Sequence, residues 1–412
     1  MEIKDAIGKR RIESIDFLRG IVMIIMALDH VRMYFGFGTW YSEPTNLSTT
    51  TPLLFFTRWI THFCAPVFVF LAGTSAFLSR SSRFHFSMKR AGLSGSNKTS
   101  LNKTAWHLFT RGIWLIVLEL TIVNFAWTFD ITFSFRILQV IWVIGVSMVI
   151  LSVLVYLPMQ IIFAIGVILV FGHNLLDPIT TQGNGTLDLI WYALYQPNVI
   201  FLGNATISLF YSIIPWSGLM ALGYVFGGFY TEGFGEERRR QWMLLIGIGA
   251  VLLFILLRGF NLYGEPNPWA PQNSSMFTVV SFLNTSKYPP SLHFLLMTMG
   301  PALIFLSLSE KIRSRIAAPV VVFGKAPLFF YILHLYFIHA LAMLMLVLAG
   351  RDWHEYILSA SAISSGTLSN FGLRIEAVYI IWILMIASLY PLCKWYQRYK
   401  ENNPAKWWLG YL

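Results

Sequence analysis

Apolar residues in this chain run on in long, nearly unbroken blocks, without the alternation of a half-buried strand or the one-faced stripe of a soluble helix. Ten such blocks stand out, at 15–35, 53–79, 106–127, 135–156, 158–172, 206–230, 241–259, 291–309, 322–349 and 375–394. A helix of about 20 residues crosses the apolar part of a bilayer, and most of the blocks reach that length. In lipid every backbone polar group must be satisfied within the segment, which leaves the helix as the spanning element here. The pattern predicts an all-α integral membrane protein, a polytopic bundle of about ten transmembrane helices. It reads as one domain over 1–412, with a cytoplasmic segment at 1–14 and a cytoplasmic tail at 395–412. The segment Met1–Arg11 is polar and basic, so the first block is expected to stay as a helix and not to be removed as a leader.

The first block is unusual in what it carries. Asp16, Arg19, Asp29 and His30 all lie within it. A charged side chain near the middle of a bilayer costs about 2.5–3.5 kcal/mol on insertion scales, so such groups face a protein interior or a watery cavity. Arg19 and His30 are eleven residues apart, almost three helical turns, and project from one face about 16 Å apart along the axis. Asp16 and Arg19, three apart, are spaced to pair. Asp29 and His30 point about 100° apart, so at least one needs a partner from another helix.

Charge sets the predicted orientation. The chain is 56% hydrophobic and 12% charged with a net charge of +11, against about 25% charged residues in a soluble domain. Twenty of its 30 Lys and Arg residues fall at the N-terminus (Lys4, Lys9, Arg10, Arg11), in the 80–103 loop, at Arg238–Arg240, at 311–315 and in the 394–406 tail. Those are alternate loops, which places them and both termini in the cytoplasm. The excess charge is thus an orientation signal, and nucleic-acid binding is not expected. The bacterial inner membrane is the expected location. Cys64 and Cys393 lie in apolar blocks and read as small buried hydrophobes.

Other polar groups lie inside or beside the blocks. His62 follows Arg58 and precedes Pro66, whose ring leaves the His62 carbonyl unbonded and kinks the second span. Glu119 is a bare carboxylate in the third span, with Arg136 and Gln139 of the fourth as candidate partners. His334 and His339 are five apart, a poor spacing for a metal pair on one helix, and no metal site is predicted. The neutral, aromatic-rich external loops at 173–204 and 260–290 suit a sugar, and Lys287-Tyr288-Pro289-Pro290-Ser291 brings a cation and two hydroxyls to the external mouth.

The spacing Arg19–x10–His30 resembles the signature of the bacterial membrane O-acyltransferases that modify sugars. The wider set is similar to the heparan-α-glucosaminide N-acetyltransferase-like catalytic family. It comprises Ser14-Ile-Asp16-Phe-Leu-Arg19-Gly20, Pro66-Val-Phe-Val-Phe-Leu-Ala-Gly73-Thr-Ser75, Ile214-Pro215-Trp216, the 287–291 stretch and Gly324-Lys-Ala-Pro327-Leu-Phe-Phe-Tyr331. The resemblance implies acetyl transfer from cytoplasmic acetyl-CoA, or another acyl-CoA, to a hydroxyl or amine of a glycan or small-molecule acceptor outside. Carried over, His30 is the base, helped by Asp29, Asp16 or Glu119. Arg19, Arg136, Gln139, Lys325 and His334 are expected on the donor side. Glu119, Trp216, Lys287, Tyr288, Ser291 and His339 are expected on the acceptor side. In the family's lysosomal enzyme the catalytic His lies in the loop after span one; the loop here, Gly36–Thr51, has none. His30 or His62 then takes its place, by direct transfer or through an acyl-histidine. Membrane lipid is an expected partner and a homodimer is allowed. A proton-coupled transporter or flippase is the alternative that the same buried charges support.

Overall fold

The computed structural model describes residues 12–91, 97–203, 205–231, 233–312 and 317–410, with backbone only at 80–91, 97–100 and 407. Of the predicted cytoplasmic cations, Lys4, Lys9, Arg10, Arg11, Arg313 and Arg315 lie outside the described residues, as do Asn204 and the last two residues of the tail. The side chains of Arg80, Arg83, Lys89, Arg90 and Lys98 also lie outside them.

The helices, in chain order, are α1 (Glu13–Phe35), α2 (Pro52–Thr61), α3 (Cys64–Ala91), α4 (Asn97–Leu118), α5 (Asn124–Thr128), α6 (Val140–Leu154), α7 (Met159–Gly172) and α8 (Thr186–Leu194). They continue with α9 (Ile213–Phe226), α10 (Glu236–Gly259), α11 (Ser275–Leu283), α12 (Leu292–Ser309), α13 (Ala317–Lys325), α14 (Pro327–Leu348), α15 (Ala360–Ser365) and α16 (Ile375–Asn402). Each of the ten apolar blocks holds a helix. Eight helical stretches among the described residues are both long and apolar enough to cross a membrane. The other two blocks fail for different reasons: α1 carries Glu13, Asp16, Arg19, Asp29 and Arg32, and α6 has only 15 residues. The protein is an all-α polytopic membrane protein.

Two blocks do not begin as helix. The blocks at 135–156 and 206–230 open as strands, β1 (Phe135–Leu138) and β3 (Ala205–Leu209), before α6 and α9 begin. With β2 (Asn198–Leu202) they form a sheet of order β1-β3-β2, β1 parallel and β2 antiparallel to β3. Arg136 and Gln139 therefore lie on extended backbone and not on a spanning helix. β-branched and apolar residues at 135–138 continue into α6 without a polar break, so the pattern alone could not separate strand from helix.

The second span is divided as its sequence implies. Thr51 caps α2, its side chain accepting from Leu54 N at 3.3 Å, with Pro52 at the first helical position. The helix stops at His62–Phe63, four residues ahead of Pro66, and resumes as α3. The third span is interrupted too: a π-helical turn, Glu119–Val123, joins α4 to α5.

α1 runs through the middle of the bundle, against α13, α14, α16, α3, α12 and α2. At its N-terminal end it meets α13 backbone to backbone. A Cβ on Gly20 would stand 2.0 Å from Val320 O, and one on Gly324 would stand 1.8 Å from Asp16 O, so only glycine fits at either place. At its C-terminal end Tyr34 donates to Trp127 O at 2.5 Å, Tyr356 donates to Tyr34 O, and Leu373 N–H donates to Phe35 O at 2.6 Å.

Candidate functional site

The last two turns of α1 present Asp29 and His30 to different neighbours, as their 100° offset requires. His30 faces α14. Its Nδ1 lies 2.7 Å from Nε2 of His334, and the two rings are nearly parallel, 14° apart. The other ring nitrogen of His334, Nδ1, lies 2.9 Å from Phe330 O, the carbonyl one turn earlier on the same helix. Trp127 stands edge-on to His30 with centroids 4.9 Å apart, and Tyr331 packs at 6.1 Å. The Trp127 indole N–H and the Tyr331 hydroxyl lie against each other, and neither has another hydrogen-bond partner among the described residues.

Asp29 faces α2 and its own helix. Its Oδ1 accepts from Arg32 Nη2 at 2.9 Å and from Arg32 Nε at 3.3 Å, and its Oδ2 accepts from Arg58. Arg32 follows Asp29 by three residues, and the break after α2 holds Arg58 above it. Lys287, on the loop before α12, acts electrostatically on Asp29, His30 and His62. Its Nζ also lies 5.1 Å from the Tyr288 ring centre and 5.9 Å from that of Tyr211. His62 is buried against Phe294, and its Nδ1 has no protein partner. Trp216 is fully buried beside Tyr211, centroids 5.3 Å apart, with its indole N–H also unpartnered.

The structure thus gathers His30, Asp29, His62, His334, Lys287, Tyr288 and Trp216 at one end of α1. It sets the other sequence candidates elsewhere. Asp16 and Arg19 lie at the opposite end, where Arg19 donates to Asp16 Oδ1 at 3.0 Å, Gly324 O at 3.3 Å and Ser75 Oγ at 3.1 Å, tying α1 to α13 and α3. Lys325, on that side, is 3.5 Å from Glu401. Glu119 Oε1 accepts the backbone N–H of Gln139 at 2.9 Å, so of the two candidate partners Gln139 is the one that pairs, through its main chain and not its side chain. Ser291 is buried: its hydroxyl donates to Glu265 at 2.6 Å and its Oγ caps α12 by accepting from Phe294 N at 3.0 Å. That leaves Tyr288 as the exposed hydroxyl-bearing residue of the 287–291 stretch. His339 is enclosed by Ala126 O at 3.0 Å and Tyr356 O at 2.8 Å and stacks on Phe129. Among the described residues no carboxylate bonds to His30: Asp29 is taken by two arginines, and the partner of His30 is a second imidazole.

Arg58, Arg32, Trp127, Tyr331 and Tyr211 complete this cluster without having been singled out for it. Two of them had a local signal. Arg32 stands at the pairing distance from Asp29, and Tyr331 sits one turn before His334. Nothing local to Trp127 or Tyr211 points to α1.

A helical membrane bundle whose central span ends in a buried imidazole pair beside an ion cluster is an integral membrane protein built around a polar site, with the groups of an acid–base enzyme. The heparan-alpha-glucosaminide N-acetyltransferase catalytic family matches the chain over residues 11–258, more than half of its length, and the chain belongs to that family. No curated protein matches it. The matched region runs from α1 to α10 and holds His30, Asp29, Arg58, His62 and Trp127. His334, Tyr331, Lys287 and Tyr288 come from the part beyond it.

Proposed function

We propose that the protein transfers an acetyl group from cytoplasmic acetyl-CoA to an amine or hydroxyl of a sugar-containing acceptor on the external face, with His30 as the general base. The observation that carries this is the buried His30–His334 pair, 2.7 Å apart, near one end of the helix whose other end carries Arg19. Family membership supplies the reaction class.

The site's donor set fits a thioester donor. Trp127 Nε1 and the Tyr331 hydroxyl are buried, have no protein partner other than each other and flank His30. Two such groups can hold the oxygen of a carbonyl whose negative charge grows during transfer, and a buried donor left unpaired otherwise costs about 1–3 kcal/mol. Acetyl-CoA supplies an acetyl group activated as a thioester. Arg19 and Lys325, at the opposite end of α1, are the residues offered on its side; Arg136 and Gln139 sit on β1 and at the start of α6, in the sheet that leads through β3 into α9 and Trp216, and are not offered to it. His30 takes the proton from the acceptor nitrogen or oxygen as that atom bonds to the acetyl carbon, and returns it to the sulfur whose bond to the acetyl carbon breaks. Arg58, Lys287, Tyr288 and Trp216 receive the acceptor, and His62 lies within the same cluster. Asp29 does not touch the reacting atoms; it holds Arg58 and Arg32.

The test uses membranes or proteoliposomes supplied with [14C]acetyl-CoA and methyl α-glucosaminide. Labelled N-acetyl product is expected with the parent protein. His30→Gln is expected to lose at least about 10²-fold in turnover. Equal turnover by that variant, at equal expression, removes His30 from the role of base.

A further inference from the structure

We propose that His334 is a positioning residue: it locks His30 in the tautomer that carries its proton on Nδ1, so that Nε2 is the reactive atom. This rests on the reading of His30 as the base. The argument starts at a backbone carbonyl. Phe330 O can only accept a hydrogen bond, and it lies 2.9 Å from His334 Nδ1, so His334 carries a proton on Nδ1. A neutral imidazole with Nδ1–H has a bare Nε2, which accepts. That bare nitrogen lies 2.7 Å from His30 Nδ1. His30 must then donate from Nδ1, and its own Nε2 is left with a lone pair.

Both rings are buried, with His334 fully so, and the near-parallel rings place the N–H of one in the plane of the other. The three nitrogens between Phe330 O and His30, namely both of His334 and Nδ1 of His30, are satisfied in one protonation pattern of two neutral rings; reversing it sets two lone pairs or two N–H groups against each other. The arrangement serves the purpose of a carboxylate behind a catalytic histidine, but with a neutral orienter. Inside a bundle a neutral ring avoids the desolvation that a second buried carboxylate would require. It also explains why Asp29, adjacent in sequence, is free to hold Arg58 and Arg32. When Nε2 takes the acceptor proton, the Nδ1–H of the resulting imidazolium still donates to His334 Nε2. The positive charge is then stabilised without any further proton moving.

Solid-state NMR of 15N-histidine-labelled protein in lipid bilayers reads the tautomer without any ligand. The His30 signals are identified by their loss in His30→Gln. The expected spectrum has Nδ1 protonated and Nε2 bare. His334→Leu, which removes the acceptor, should convert His30 largely to the Nε2–H form and lower kcat about 10²–10³-fold with KM within about threefold. His334→Gln places an amide oxygen near the lost Nε2 and should recover kcat to within about tenfold of the parent. A parent spectrum with Nε2–H, or an unchanged His30 tautomer in His334→Leu, overturns the proposal; the parent spectrum decides even where the Leu variant fails to fold. If His30→Gln keeps full turnover while the parent shows the Nδ1–H form, the base assignment falls and the structural role of His334 stands.

Discussion

Replacing Asp29 by Asn isolates the ion cluster at the end of α1, and the geometry gives the size of the effect. Asp29 lies between two guanidinium groups, with side-chain exposures of 16% for Asp29, 6% for Arg32 and 12% for Arg58. The exchange keeps the shape and removes the charge that both arginines face. Hydrogen bonds to charged groups contribute about 1.5–3 kcal/mol each, and Asp29 bonds two arginines. Breaking a buried pair by removing one partner costs about 3–5 kcal/mol, because the partner's charge stays buried. The expected loss is about 3–5 kcal/mol, read by SDS-titration unfolding in mixed micelles. A double-mutant cycle refines it. Arg58→Met alone leaves Asp29 paired with Arg32 and should cost less, and the combined variant should fall short of the sum of the two by at least about 1 kcal/mol. An Asp29→Asn protein within about 0.5 kcal/mol of the parent, or strict additivity in the cycle, would refute the claim that this carboxylate neutralises two buried arginines.

Two further outcomes follow from local geometry. Gly324→Ala, whose Cβ would meet Asp16 O at 1.8 Å, should lower stability by about 3 kcal/mol or more in the same titration, while Gly228→Ala, with open space around it, should be nearly silent. At Asp130, burial raises the carboxyl, but hydrogen bonds from the Ser134 and Thr132 side chains and backbone hold it below the usual aspartate range; its stabilisation is therefore full above about pH 4 and lost as pH falls through the lowered folded value, and Asp130→Asn should flatten that acid limb of the thermal-unfolding profile.

Much of the architecture could be read from the chain because lipid imposes a simple rule: long apolar blocks become helices, and all ten did. The strands at 135–138 and 205–209 escaped because they continue apolar runs, and they pair with each other although Phe135 and its partner Thr206 lie in different blocks. The close pair Asp16–Arg19 was legible from a spacing of three residues. The partner of His30 was not, since His334 lies 304 residues away and is placed by the packing of α14 against α1. For the same reason the sequence left three carboxylates, Asp29, Asp16 and Glu119, open as helpers of His30, whereas the fold gives it His334 and turns Asp29 toward Arg58. Spacing within one helix fixes which face a side chain takes; only the tertiary fold decides what meets that face.

The contact between α1 and α13 has a mechanical consequence. Two helices that touch through the glycines at 20 and 324 have no side-chain layer to slide on, and the far end of α1 is bonded to Trp127, Tyr356 and Leu373. α1 is then a fixed post, pinned at both surfaces. Any rearrangement that lets small molecules in or out must be made by peripheral helices such as α10 and α16, whose spanning windows are only 22% and 17% buried, while the imidazole pair keeps its place on α1 and α14.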